Sequence, residues 1–137
     1  MKVGPARRAA YDVLHEVGAR GAYANLALSS RLSGETMSRA DRGLTTDLVY
    51  TTLRRRGTHD AVLATRITRP LADVDPRVLD LLRLALTEHM YLGKPAHAVV
   101  DNAVKLSQAV GAASAKGFVN AVLRRLTAQS PDALLDA

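Results

Sequence analysis

Apolar residues recur at helical spacing along almost the whole chain. Ala10, Val13, Leu14 and Val17 stand at i, i+3, i+4 and i+7 and predict a helix over residues 5–18. Pro5 suits its first turn and Gly18 its end. A short helical segment follows at 24–32, then a loop at 33–38. Ser38, with Asp41 three residues on, predicts the start of a helix reaching about Arg56. Gly57 reads as an interruption, and Thr58 as the cap of a shorter helix ending near Ile67. Beyond a turn at Pro70, Asp75-Pro76 pairs a capping carboxylate with a first-turn proline and opens a helix to about Leu92. Its polar residues Arg77, Asp80, Arg83, Thr87 and Glu88 keep to a narrow stripe, which predicts packing on most sides. Gly93 closes it. Pro95 opens the next helix, with Val99, Ala103, Leu106 and Val110 inward and Gly111 as its stop. Ser114 is the expected cap of a last helix that buries Phe118, Val119, Val122, Leu123 and Leu126. No stretch of four or more residues alternates as a strand would. The expected fold is all-α, a compact bundle of about seven helices over residues 1–130. Residues 131–137 read as a tail or the start of a linker.

Composition supports one packed core. Of 137 residues, 47% are hydrophobic and 23% charged, so whole-chain disorder is excluded. No apolar run reaches about 18 residues without a charge, so no membrane contact is expected. The first twenty residues hold no apolar signal core. Cysteine is absent. That removes disulfides, thiolate metal sites and cysteine nucleophiles, and it fits a reducing, cytoplasmic setting.

The net charge of +6 resides in the first half: residues 1–72 carry twelve Lys/Arg against six Asp/Glu, whereas 73–137 carry seven of each. Fifteen of the nineteen cations are Arg. Arg binds phosphate through two parallel bonds and stacks on bases, which points to nucleic acid. Solubility alone would also be served by such an excess.

Enzyme signatures are missing. The Gly111–Gly117 stretch has its Lys before the last Gly and no hydroxyl after it, unlike a phosphate loop. No Gly-x-Gly-x-x-Gly follows a strand, so no cofactor is expected in this chain. His15-Glu16 lacks a second His four residues after the first, and the four histidines are scattered. No catalytic residue and no metal site are expected.

Three surfaces could carry binding. On the first helix, Arg7, Arg8, Tyr11 and His15 fall opposite the Val13/Val17 stripe, offering two phosphate forks and two rings for an unpaired base. The alternative is a solvated face with Tyr11 half-packed. Replacing Arg7 and Arg8 by Glu is expected to weaken RNA binding and spare the fold. Arg54-Arg55-Arg56 ends a helix, where cations complement the dipole; contact with RNA or a partner is compatible with that. The last helix carries Lys116 early and Arg124 and Arg125 late, with no acid between. Gly117 would permit close approach there, and Asn120 is expected to bond a neighbouring helix.

The string from Gly117 to Arg125, Gly-Phe-Val-Asn-Ala-Val-Leu-Arg-Arg, is similar to the last-helix signature of the NusB family. Pro95-Ala96-His97-Ala98-Val99-Val100 resembles that family's penultimate helix, and Arg7-Arg8 its basic first helix. The likeness covers about residues 5–128. Leu48–Arg54, Arg56–Leu63, Arg69-Pro70-Leu71 and the Leu123-Arg124-Arg125 ending look more like one branch. That branch is the N-terminal domain of ribosomal RNA small subunit cytosine-C5 methyltransferases of the Sun/Fmu/RsmB type. His59 stands where it often has an apolar residue.

The resemblance implies an RNA-binding domain that helps dock ribosomal RNA beside a catalytic domain. That catalytic domain, absent here, would use S-adenosylmethionine. RNA-facing positions carried over are Arg7, Arg8, Lys116, Phe118 and Arg124; Tyr11 and Arg125 join them from the helix faces. The family's common Lys before the Phe is Gly117 here, and Lys116 lies one residue earlier, turned by 100°. A free antitermination factor binding boxA RNA and a small-subunit ribosomal protein is the alternative, and a protein-interaction module is a second.

Overall fold

A computed structural model describes residues 3–136. Eight α-helices account for most of them: α1 (Pro5–Arg20), α2 (Ala24–Ser33), α3 (Arg39–Arg54), α4 (Arg56–Ala64), α5 (Pro76–Met90), α6 (Ala96–Ala109), α7 (Lys116–Thr127) and α8 (Pro131–Leu135). Short 3-10 turns occupy Leu71–Asp73 and Ala113–Ala115. Among the described residues there is no strand. The expected all-α bundle is the observed one.

The axis of the bundle is α5. It starts where the sequence places its start: the Asp75 carboxylate accepts from the Arg77 backbone N–H at 2.9 Å, with Pro76 in the first turn. Every residue from Leu81 to Met90 is buried, including the stripe residues Arg83, Thr87 and Glu88. α1, α3, α4, α6 and α7 all pack on this helix. Its polar groups therefore meet partners inside the fold. Thr87 Oγ1 lies 2.7 Å from Thr52 Oγ1 and 2.9 Å from His59 Nε2. Arg83 donates to Asp60 at 2.7 Å and sits 3.3 Å from Asp80.

Four boundaries differ from the periodic reading. α1 continues past Gly18 to Arg20 and ends on Gly21, whose φ of 65° is the left-handed cap geometry glycine adopts without penalty. The break between α3 and α4 falls at Arg55, with φ −102° and ψ 13°; Gly57 and Thr58 lie inside α4. Ser114 sits within the 3-10 turn, and α7 starts at Lys116 with no side-chain cap. Residues 131–135 form a helix. Ser130 Oγ accepts from the Ala133 N–H at 3.2 Å, and Leu134 joins the buried core beside Val62 of α4. Replacing Ser130 by Ala removes that cap. A loss of about 1 kcal/mol is expected in urea unfolding, and an unchanged midpoint would show that α8 needs no cap.

Candidate nucleic-acid interface

The cations of α1 are tied into the fold. Arg7 donates from Nε to Glu88 Oε1 at 2.8 Å, and its second nitrogen stands 2.6 Å from the same oxygen. Glu88 is buried, its side chain 3% exposed, and that of Arg7 is 19% exposed. A buried carboxylate with one cation beside it holds that cation firmly. The expectation that Arg7 can be reversed to Glu without harm to the fold is therefore corrected. Its charge neutralises an anion inside the bundle. Arg8 donates to Asp12 at 3.1 Å and to the Ala109 carbonyl, the last residue of α6, at 3.1 Å. Arg31 of α2 reaches the same Asp12 at 3.1 Å and also pairs with Glu35.

Tyr11 is buried, so of the two rings expected to stack a base it offers no open face. Its ring lies 5.8 Å from the His15 ring, nearly parallel to it, and burial pushes its hydroxyl pKa well up. His15 in turn lies 3.3 Å from Asp80. The α1 helix turned further toward α5 than the apolar stripe alone indicated.

The α7 surface is different. Lys116, Arg124 and Arg125 are exposed, and none has an acidic partner among the described residues. At 100° per residue, Arg124, Gly117, Ala121 and Arg125 form the outward face, opposite Val119, Val122, Leu123 and Leu126. Gly117 opens onto free space, with nothing within 4 Å of where a Cβ would stand. Asn120 bonds within its own helix, accepting from Arg124 Nε at 3.1 Å, and not with a neighbouring one. Both line an open groove against α6, whose other wall holds His97, Val100 and Asp101. Phe118 is half-buried, and the Arg69 guanidinium lies over its ring, 5.2 Å from the centroid. Spacing along the chain gives no sign of that pair, because a loop residue and a helix residue meet only in the fold.

The structure thus brings Lys116, Phe118, Arg124 and Arg125 onto one helix, with Arg69 joining them. Arg8 reaches the end of α6, close in the chain to the turn that leads into Lys116. Tyr11 does not join this surface. No group of three or more His, Asp or Glu side chains suited to a metal occurs among the described residues. No described helix is long and apolar enough to cross a membrane.

A model of the NusB family matches residues 4–128. The chain belongs to the NusB family. Within it, the domain is 40% identical over 122 residues to a putative methyltransferase of Mycobacterium tuberculosis, covering 89% of this chain and 27% of that protein. It is 37% identical over 127 residues to a probable ribosomal RNA small subunit methyltransferase B of Bacillus subtilis, covering 92% of this chain and 28% of the relative. The region matched is the N-terminal part of these methyltransferases, and the chain spans little more than a quarter of their length. A transcription antitermination protein NusB of Synechocystis is 35% identical over 91 residues, covering 63% of this chain and 39% of that protein. The likeness to the methyltransferase branch thus extends over more of the NusB-family domain than the likeness to this antitermination factor. Solved structures share the fold. A crystal structure of antitermination factors NusB and NusE in complex with dsRNA superposes with TM-score 0.80 at 22% identity, over 89% of this chain and 92% of that one. A crystal structure of a plectonemic RNA supercoil gives TM-score 0.81 at 22% identity, over 88% and 90%.

Proposed function

We propose that this domain binds ribosomal RNA and docks it for a cytosine-C5 methyltransferase domain of the same polypeptide. The supporting observation is the likeness to methyltransferase relatives over about nine-tenths of the chain, joined to the cations of α7, which have no acidic partner among the described residues. Those cations would take backbone phosphates. Phe118 would stack an unpaired base once Arg69 moves off its ring and onto the nucleic acid. Arg8 would add a further phosphate contact at the neighbouring end of α6. S-adenosylmethionine belongs, in this reading, to the catalytic domain: the described residues contain no strand leading into a glycine loop that would cradle it.

The test is RNA affinity as a function of salt. Each phosphate contact on a single strand contributes a log–log slope of roughly −0.7. Replacing Lys116, Arg124 and Arg125 by Gln should flatten the slope by about 2 and weaken binding without changing the circular dichroism spectrum. Wild-type affinity and slope in that variant would remove α7 from the interface.

A further inference from the structure

The α3–α4 elbow concentrates positive charge that the α7 surface does not use. Arg54, Arg55 and Arg56 follow one another there, all exposed. Arg54 and Arg55 have no acidic partner among the described residues, and Arg56 meets Asp60 only at 4.0 Å. The Arg55 guanidinium is held over the Tyr91 ring, 5.0 Å from its centroid. A cation seated on a ring keeps its charge and its outward N–H groups, and it loses less freedom when it binds an anion.

Helix-dipole compensation explains one cation at the end of α3, not three with an aromatic ring beside them. One turn before Arg54, on the same helix face, stands Tyr50. It is 39% exposed, although its neighbours Leu48 and Val49 are fully buried. Asp47 lies a further turn back and marks the limit of the patch with the opposite charge. A run of Arg one turn from an exposed ring can accept a single nucleic-acid strand, phosphates on the cations and a base on the ring. An acidic peptide would use the cations and leave the ring idle.

We propose that the α3–α4 elbow is a second RNA-contact surface, in which Arg54 and Arg55 take backbone phosphates and Tyr50 stacks an unpaired base. This rests on the reading of the domain as an RNA binder, and it adds a contact region that the α7 surface does not include.

The probe is a fluorescein-labelled oligouridine of about 16 nucleotides, titrated against the chain over a range of salt. Replacing Arg54 and Arg55 by Gln should flatten the log–log salt slope by about 1.4. Tyr50→Ala should weaken binding about tenfold, and Tyr50→Phe should restore it, because stacking needs the ring and not the hydroxyl. The chain has no Trp and four Tyr. Part of the tyrosine fluorescence quenched by RNA should therefore disappear in Tyr50→Ala, a signal that loss of fold would not mimic. Unchanged slope and affinity in the elbow variants, with binding still lost in the α7 variant, would overturn the elbow and leave the α7 interface standing. Loss in the elbow variants alone would uphold the elbow and remove α7. No RNA binding by the unmodified chain would overturn both. Elbow variants that keep RNA affinity but lose affinity for polyglutamate would overturn the RNA assignment in favour of an acidic protein partner.

Discussion

Replacing Arg7 by Ala is expected to destabilise the domain by about 3 kcal/mol, equivalent to a fall of roughly 10 °C in Tm. Glu88 sits in the middle of the bundle, 3% exposed, and among the described residues Arg7 is its only cation at bonding distance. Removing one partner of a buried pair leaves an unneutralised charge that water cannot reach. Arg7→Glu should be worse, since two carboxylates would then face each other. The double variant Arg7→Met, Glu88→Leu should recover most of the loss, because both charges leave together and apolar groups fill the space. A Tm for Arg7→Ala within about 2 °C of the parent would show that Glu88 finds its neutralisation elsewhere. Arg8 offers the contrast. Its pair with Asp12 is 41% and 32% exposed, and such pairs contribute about 0–1 kcal/mol. RNA binding lost on charge reversal at Arg7 would therefore report unfolding before it reports an interface.

Acid should weaken the fold through His59. This ring is fully buried, with Nε2 on the Thr87 hydroxyl and Nδ1 without a partner among the described residues. Burial, aided by the nearby positive charges of Arg83 and Arg55 and opposed by Asp60, lowers its pKa from 6.5 to about 4. The folded state thus disfavours the proton that the unfolded chain accepts. Stability from this group is complete above pH 6.5 and is lost as pH falls toward 4, where the unfolded chain binds more protons. The interval corresponds to about 3 kcal/mol. His59→Leu should flatten the dependence between pH 6.5 and 4 and leave Thr52 and Thr87 bonded to each other. Urea unfolding of both proteins at several pH values checks this. Parallel curves would mean that carboxylates alone set the acid response.

The helices were legible because each longer one buries a stripe, and burial leaves a period in the sequence. α8 escaped because five residues hold barely more than one turn, too few for a period to show. Gly57 misled because glycine reads as a stop, while the chain bends two residues earlier through the backbone of Arg55. Periodicity also places a residue on a face without saying how far its side chain reaches. Arg7 lies off the Val13 stripe, yet its long stem carries the guanidinium to a residue 81 positions away. Tyr11 was misplaced for a related reason. A helix packed on three neighbours, α2, α3 and α5, buries a wider arc than the apolar residues trace. The α7 cations were found from sequence because exposed charge on an amphipathic helix needs no partner to be recognised. The rings beneath Arg55 and Arg69 were not, since they come from other parts of the chain.

The enclosure of α5 also decides how the domain comes apart. Residues Leu81 to Met90 are enclosed by five helices, so their backbone amides are expected to exchange with deuterium only when the bundle itself opens. α2, in which Leu28 is the one buried residue, is expected to open first. Protection from exchange should therefore fall from the centre outward, and α2 reaches that centre through α1 and α3, with Arg31 tying it to α1 at Asp12.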